Sequence, residues 1–252
     1  MIDSHCHLAD SKFSSDISEV IARANACGVD RMVTIADSLD EGDMCLSLAK
    51  KYDQVFCTIG VHPHNAKDWK GGDPDRLVSQ LTSSKKVVAL GEIGLDYHYM
   101  NSPKEDQIRV FRLQVEIAKE LGLPIVVHNR NSIADLIPII RELQPPKMVL
   151  HCCTEKWENV SELVERGYLL SFTGIATYPK SEEIRRTIEN CPLHQVMIET
   201  DAPYLSPNSK RGKRNEPSYV VEVAECIAEI KSISLEEVNA ATIKNTEEFY
   251  GL

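Results

Sequence analysis

Ile2-Asp3-Ser4-His5-Cys6-His7 opens the chain with a short apolar run that carries two histidines two positions apart. In a strand successive side chains turn to opposite faces, so His5 and His7 point the same way. At about 3.3 Å of rise per residue their α-carbons lie roughly 7 Å apart, and both imidazoles can reach one divalent ion from a single edge. Taken alone, the pair reads equally well as two surface histidines. The wider sequence decides between the readings, because its apolar runs keep ending in a histidine or a carboxylate.

Eight such runs occur, at 2–7, 31–36, 55–60, 87–93, 124–128, 148–151, 168–173 and 196–200. They are rich in β-branched residues and apolar throughout rather than alternating, as strands covered on both faces should be. Helical patterns separate them. Asp16 with Glu19, Ser38 with Glu41, Ser102 with Glu105 and Ser234 with Glu237 have the spacing of capping boxes. Pro74 and Pro103 suit first helical positions, and Gly28, Gly122 and Gly167 suit helix ends. Further helices are expected at 132–143, where Pro138 should kink or end the first part, and at 181–189, 217–230 and 235–249. Eight strand–helix repeats in 252 residues have the size and order of a (β/α)8 TIM barrel. A doubly wound open sheet is the structural alternative. No linker divides the chain, so a single domain over 1–252 is expected.

The formal net charge is −10, which leaves no global positive field to draw in a polyanion. A nucleic acid would have to be held by a local basic patch or a metal. No apolar run has the length of a membrane span and no secretory leader pattern is visible, so a cytoplasmic protein with no membrane partner is expected. The eight cysteines include no C-x-x-C and read as reduced, mostly buried thiols.

In a barrel the carboxyl ends of all eight strands open on one face, where active sites are built. Those ends carry His5 and His7, then His62 and His64, Glu92, His128, His151, and finally Glu199 and Asp201. Imidazoles and carboxylates without a committed thiolate make a mixed nitrogen–oxygen site, suited to Zn, Mn, Co, Ni or Fe, with Mg a poorer match. Four of these imidazoles (His5, His7, His128, His151) and two of the carboxylates (Glu92, Asp201) already exceed one tetrahedral shell, so two divalent ions are expected, with Glu92 the natural bridge. Two ions can acidify a shared water and clamp the oxygens of an in-line displacement at phosphorus. Asp201 could serve as ligand and general base together. Glu199, on the same face two residues earlier, would orient a ligand or be a buried structural carboxylate.

The runs 2–7, Gly60-Val61-His62-Pro63-His64, Gly91-Glu92-Ile93-Gly94-Leu95-Asp96-Tyr97, His151-Cys152, Glu199-Thr200-Asp201-Ala202-Pro203-Tyr204-Leu205 and Arg211-Gly212-Lys213-Arg214-Asn215-Glu216-Pro217 resemble the TatD family of metal-dependent deoxyribonucleases. The likeness runs through nearly the whole chain in the right order. It implies an amidohydrolase-type TIM barrel and metal-dependent hydrolysis of ester bonds, usually in DNA and often from single-stranded or 3′ ends. Carried over by motif, His5, His7, Glu92 and Asp201 would hold one ion, and Glu92, His128 and His151 the other. Glu92 and Asp201 would then be the catalytic pair. The run His151-Cys152-Cys153-Thr154-Glu155 lacks the aromatic and glycine that the family usually places there, and the loop 206–210 has no clear counterpart.

Lys210-Arg211-Gly212-Lys213-Arg214 is a local basic exception in an acidic chain. Arg211 and Lys213 there, with Arg130, His62 and His64, are candidate phosphate contacts for a DNA substrate. Solvated ion pairs and loop bracing are the plainer roles for the same residues. Tyr97 and Tyr99 could stack on unpaired bases. An amidohydrolase, a lactonase or a D-aminoacyl-tRNA deacylase would use much the same cage. Many amidohydrolases bridge their metals with a modified lysine near strand four, yet no lysine lies in 87–99. A non-catalytic metal-binding scaffold is the reading from another class. A monomeric or weakly associated two-metal DNase is the expectation that follows.

Overall fold

The computed structural model describes residues 1–252. Eight strands, β1 (Ile2–Cys6), β2 (Arg31–Ile35), β3 (Val55–Ile59), β4 (Val87–Asp96), β5 (Ile125–Arg130), β6 (Met148–Leu150), β7 (Leu169–Phe172) and β8 (Val196–Ile198), follow one another in one sheet in chain order. The pairings β1–β2, β3–β4, β4–β5, β5–β6 and β7–β8 are parallel. Helices α1 (Ile17–Ala26), α2 (Leu39–Lys51), α3 (Asp73–Leu81), α4 (Lys104–Leu121), α5 (Ile133–Leu143), α6 (Trp157–Glu165), α7 (Glu182–Asn190), α8 (Val220–Lys231) and α9 (Leu235–Tyr250) complete the succession. The fold is a (β/α)8 barrel. Sequential strand order is incompatible with a doubly wound sheet, whose order reverses at a switch point.

The chain falls into two compact units, residues 1–34 with 152–252, and residues 35–151. In the first, Ile2, Val20, Ile21, Leu170, Val223, Ile227, Val238 and Phe249 are buried. The Ser4 hydroxyl donates to the Ile198 carbonyl (2.9 Å) and the Tyr250 hydroxyl to the Ser4 carbonyl (3.0 Å), so α9 and β8 both brace β1. In the second, β4 is buried along all ten residues, and Ile59, Leu77, Leu90, Phe111, Ile125 and Leu136 are inaccessible to solvent or nearly so. All eight thiols are free, and burial pushes Cys57, Cys153 and Cys191 up to about 12. No helix is long and apolar enough to cross a membrane.

Several local expectations change. Strand β4 continues three residues past 93, carrying the chain through Gly94 to Asp96. Helix α5 runs unbroken through Pro138, which forfeits only one backbone bond. Residues 217–219 form a 3-10 turn that precedes α8. Only Ser234 closes a full capping box; the Ser38 hydroxyl accepts from the Glu41 N–H, but the Glu41 carboxylate turns to the N–H of Asp37. Asp16 is the N-cap of α1 but makes no side-chain cap, and α4 starts at Lys104 with Pro103 as its N-cap, so Ser102 is not the cap and Pro103 is not the first helical residue. Asp16 receives Arg214 (2.6 and 2.8 Å), while Ser102 donates to the His64 carbonyl (2.8 Å) and accepts from the Lys67 N–H (3.1 Å).

Candidate metal centre

In the first unit, β1 delivers His5, the residue just past its end is His7, and the turn after β8 delivers Asp201. His5 Nε2 and His7 Nε2 lie 3.4 Å apart, and Asp201 Oδ1 lies 3.5 and 3.3 Å from them. Ligands on a tetrahedral ion at about 2.1 Å are about 3.4 Å from one another, so these three atoms already have the edges of such a shell. The fit is geometric and chemical, two imidazoles and a carboxylate being a borderline donor set.

A lattice of buried bonds sets that trio. The Asp201 N–H donates to the His5 carbonyl (2.9 Å), and the His7 N–H to the Ala202 carbonyl (2.7 Å). Asp3 accepts from the Thr200 N–H (2.9 Å) and meets the Thr200 hydroxyl (2.5 Å). Asp201 is held at φ 56°, in the left-handed region that non-glycine residues seldom occupy, which is common where a side chain is aimed for function. Burial raises the Asp3 carboxyl to about 8 despite its bonds to Thr200. Glu199 accepts from the Cys152 N–H and the Ser171 hydroxyl (both 2.6 Å), which fixes both its oxygens.

The second unit gathers Glu92, His128, His151 and His62. One carboxylate oxygen, Glu92 Oε1, stands 2.7 Å from His128 Nδ1, 2.7 Å from His151 Nε2 and 3.5 Å from His62 Nε2. His128 Nδ1 and His151 Nε2 are 3.3 Å apart. Glu92 follows Gly91, where a Cβ would come within 2.7 Å of the Val126 Cβ, so a side chain there would push the ligand-bearing strand off β5. Gly94 is stricter still. At φ 143° its missing Cβ would fall 2.0 Å from the His128 carbonyl oxygen.

Asp96 is the residue that the sequence reading passed over. Its Oδ2 lies 3.2 Å from His128 Nε2 and 3.0 Å from His64 Nε2, while Oδ1 accepts from the N–H groups of His98 and Tyr99 (2.9 Å each). A carboxylate on one imidazole nitrogen leaves the other free to bind a metal, so Asp96 directs His128 Nδ1 toward Glu92 and His151. Burial alone would raise Asp96, but the bonds from His128 and Tyr99 outweigh it and hold the carboxyl well below its ordinary range. Burial likewise opposes charge on His128, and Asp96 and Glu92 overcome it, raising His128 above its usual value. His62 goes the other way: burial, then the nearby His128, keep it neutral. Spacing could have found Asp96, since it follows Glu92 by four residues and so shares its strand face.

The candidate substrate contacts differ in character. His62 is buried, its Nδ1 accepting from the His64 N–H (3.2 Å). Arg130, Arg211 and Lys213 are exposed. Arg130 lies over the Tyr99 ring (4.6 Å) and Arg211 over the Tyr178 ring (5.0 Å). Most arginines here are ion-paired, Arg23, Arg76, Arg112 and Arg214 among them, whereas Arg130 and Arg211 have no carboxylate partner. The basic loop therefore offers two free arginine or lysine heads beside Lys210, because Arg214 is committed to Asp16.

The family model described as "TatD related DNase" matches residues 2–251. The "uncharacterized metal-dependent hydrolase YabD" of Bacillus subtilis (strain 168) is 37% identical, covering 99% of this chain and 98% of the relative. The "3'-5' ssDNA/RNA exonuclease TatD" of Citrobacter rodentium (strain ICC168) is 34% identical over 100% of this chain and 98% of its own. Among solved structures, the TatD homologue YjjV of Escherichia coli k12 superposes with a TM-score of 0.95 at 28% identity, covering 100% of this chain and 98% of that one.

Proposed function

The chain belongs to the family of TatD-related DNases, whose relatives are metal-dependent hydrolases, and from that premise we propose that it hydrolyses phosphodiester bonds of DNA, removing nucleotides from 3′ ends. The observation that supports this best is the pair of donor sets, His5–His7–Asp201 and Glu92–His128–His151. Each set would take one divalent ion. Bound there, the ions supply Lewis acidity: they lower the pKa of a water and offset charge growing on phosphate oxygens.

The protein's own groups do the rest. Asp201 accepts the proton that the attacking water gives up, and its carboxylate is partly open to solvent, unlike that of Glu92. Arg130, Arg211 and Lys213 hold phosphate oxygens by charge and hydrogen bonding, the arginines two oxygens at a time. Asp96 and Glu199 keep the machinery in register without meeting the substrate. A relative's name covers RNA as well as single-stranded DNA, so RNA belongs in the same trial.

The test strips the protein with a chelator, reloads it with Mn, Mg, Zn or Co, and assays labelled single- and double-stranded DNA, RNA and a model lactone. Release of mononucleotides from a 3′-labelled single strand, restored by metal, is expected. Turnover of the lactone alone, or metal uptake without turnover of any substrate, would overturn the reading.

A further inference from the structure

Among the large apolar side chains, Tyr99 and Met100 are consecutive and stand 54% and 47% exposed. Their loop does not leave them out by slackness. Asp96 Oδ1 pins the N–H groups of His98 and Tyr99, and Met100 is held at φ 52°, a conformation that costs a side-chain-bearing residue about 1 kcal/mol or more. The Tyr99 ring meets His64 edge-on (5.5 Å, 90°) and His98 nearly so (4.7 Å, 82°). His64 in turn bonds Asp96, which bonds His128. The exposed ring is thus linked to a histidine of the metal set through His64 and Asp96. Its neighbour Tyr97 is used differently: the hydroxyl donates to Asp135 (2.9 Å) and Lys104 lies 4.6 Å over its ring.

Arg130 lies 4.6 Å over the Tyr99 ring and has no carboxylate partner in a chain of net charge −10. A guanidinium held over an aromatic ring still has N–H groups to offer, and they fit two phosphate oxygens. An exposed aromatic surface beside an unpaired guanidinium edge is the complement of a nucleotide: a flat base joined to an anion. Bases in a duplex are already stacked on one another, so only an unpaired base can use the ring.

We propose that Tyr99 and Arg130 form a nucleotide subsite, the tyrosine ring taking one unpaired base and the guanidinium edge the adjoining phosphate, so that the enzyme prefers single-stranded ends. This rests on the phosphodiesterase reading above. It adds the residue that distinguishes an unpaired end from a paired one.

The experiment walks a single abasic unit through the last four positions of a single-stranded octamer and measures KM at each. In the wild type one position should raise KM about tenfold, within the range of base–aromatic stacking. In Tyr99→Leu that position-specific penalty should vanish, and in Tyr99→Phe it should persist. A penalty of unchanged size and position in Tyr99→Leu overturns the subsite while leaving the nuclease reading intact. Binding supplies the independent arm: 2-aminopurine placed at the same position, with chelated Asp201→Asn protein. Its fluorescence should be quenched, and adding Tyr99→Leu should abolish the quench. Quenching without any wild-type hydrolysis keeps the subsite and removes the nuclease; no quenching in either protein removes the subsite.

Discussion

Replacing Asp96 by asparagine should weaken one donor set and spare the other. Asparagine keeps an oxygen for the two backbone N–H groups that Asp96 Oδ1 accepts at 2.9 Å. On the other side it puts an N–H₂ where Oδ2 now faces His64 Nε2 at 3.0 Å and His128 Nε2 at 3.2 Å. A donor then confronts donors. His128 escapes by moving its proton to Nδ1, the nitrogen that stands 2.7 Å from Glu92. A protonated nitrogen cannot bind a metal. Losing such a carboxylate–histidine contact costs about 10- to 100-fold in metal affinity, or about 1.4–2.7 kcal/mol. The hydrogen bonds of Asp96 run to His64, His128, His98, Tyr99 and Gln107, so the set of His5, His7 and Asp201 should bind as before. Calorimetric titration of chelator-stripped protein with Co²⁺ reads both: one phase shifted by that factor, one unmoved. Equal weakening of both phases would mean that Asp96 acts through the whole fold, and no change in either would mean that it does not set the His128 tautomer; each result refutes the reasoning.

Asp201→Asn should lower kcat by about two to four orders of magnitude, the usual worth of a positioned general base, with the melting temperature little changed; near-normal turnover would remove it from the proton-accepting role. The double replacement Arg211→Ala with Lys213→Ala should flatten the salt dependence of single-stranded DNA binding by about 1.4 in the log–log slope, and an unchanged slope would mean the loop touches no phosphate. Asp3→Asn should change how stability varies with pH. The Asp3 carboxyl is raised by burial from 3.8 to about 8, so its contribution is complete below 3.8 and is lost as pH rises toward 8. In chelated protein, urea unfolding should show the variant gaining on the wild type by about 1.4 kcal/mol per pH unit between pH 5 and 7, and a gap independent of pH would show Asp3 ionised in the fold.

The barrel was legible because a strand covered on both faces must be apolar along most of its length, as 87–91 is, and eight such runs alternate with helical patterns. His5, His7 and Asp201 were legible for a related reason: polar groups that end buried runs need a partner. Asp96 escaped because Gly94 looked like the end of β4, when its missing side chain is what lets the strand continue beside β5. Asp16 and Ser102 misled for the opposite reason. Each has the local spacing of a cap, yet their partners, Arg214 and the His64 carbonyl, lie 198 and 38 residues away, which no local pattern records. The same long-range pairing takes Arg214 out of the basic loop, since it closes on Asp16.

Gly94 has a consequence for anyone reshaping this protein. A methyl group at that point has no free volume to enter, because the atom it meets is a main-chain oxygen rather than a side chain that could swing aside. The carboxylates at 92 and 96 ride on the same stretch of backbone, so even a small parting of the strands would loosen both grips on His128 together. Randomised libraries aimed at a new metal preference should therefore leave position 94 untouched and draw their diversity from the loops.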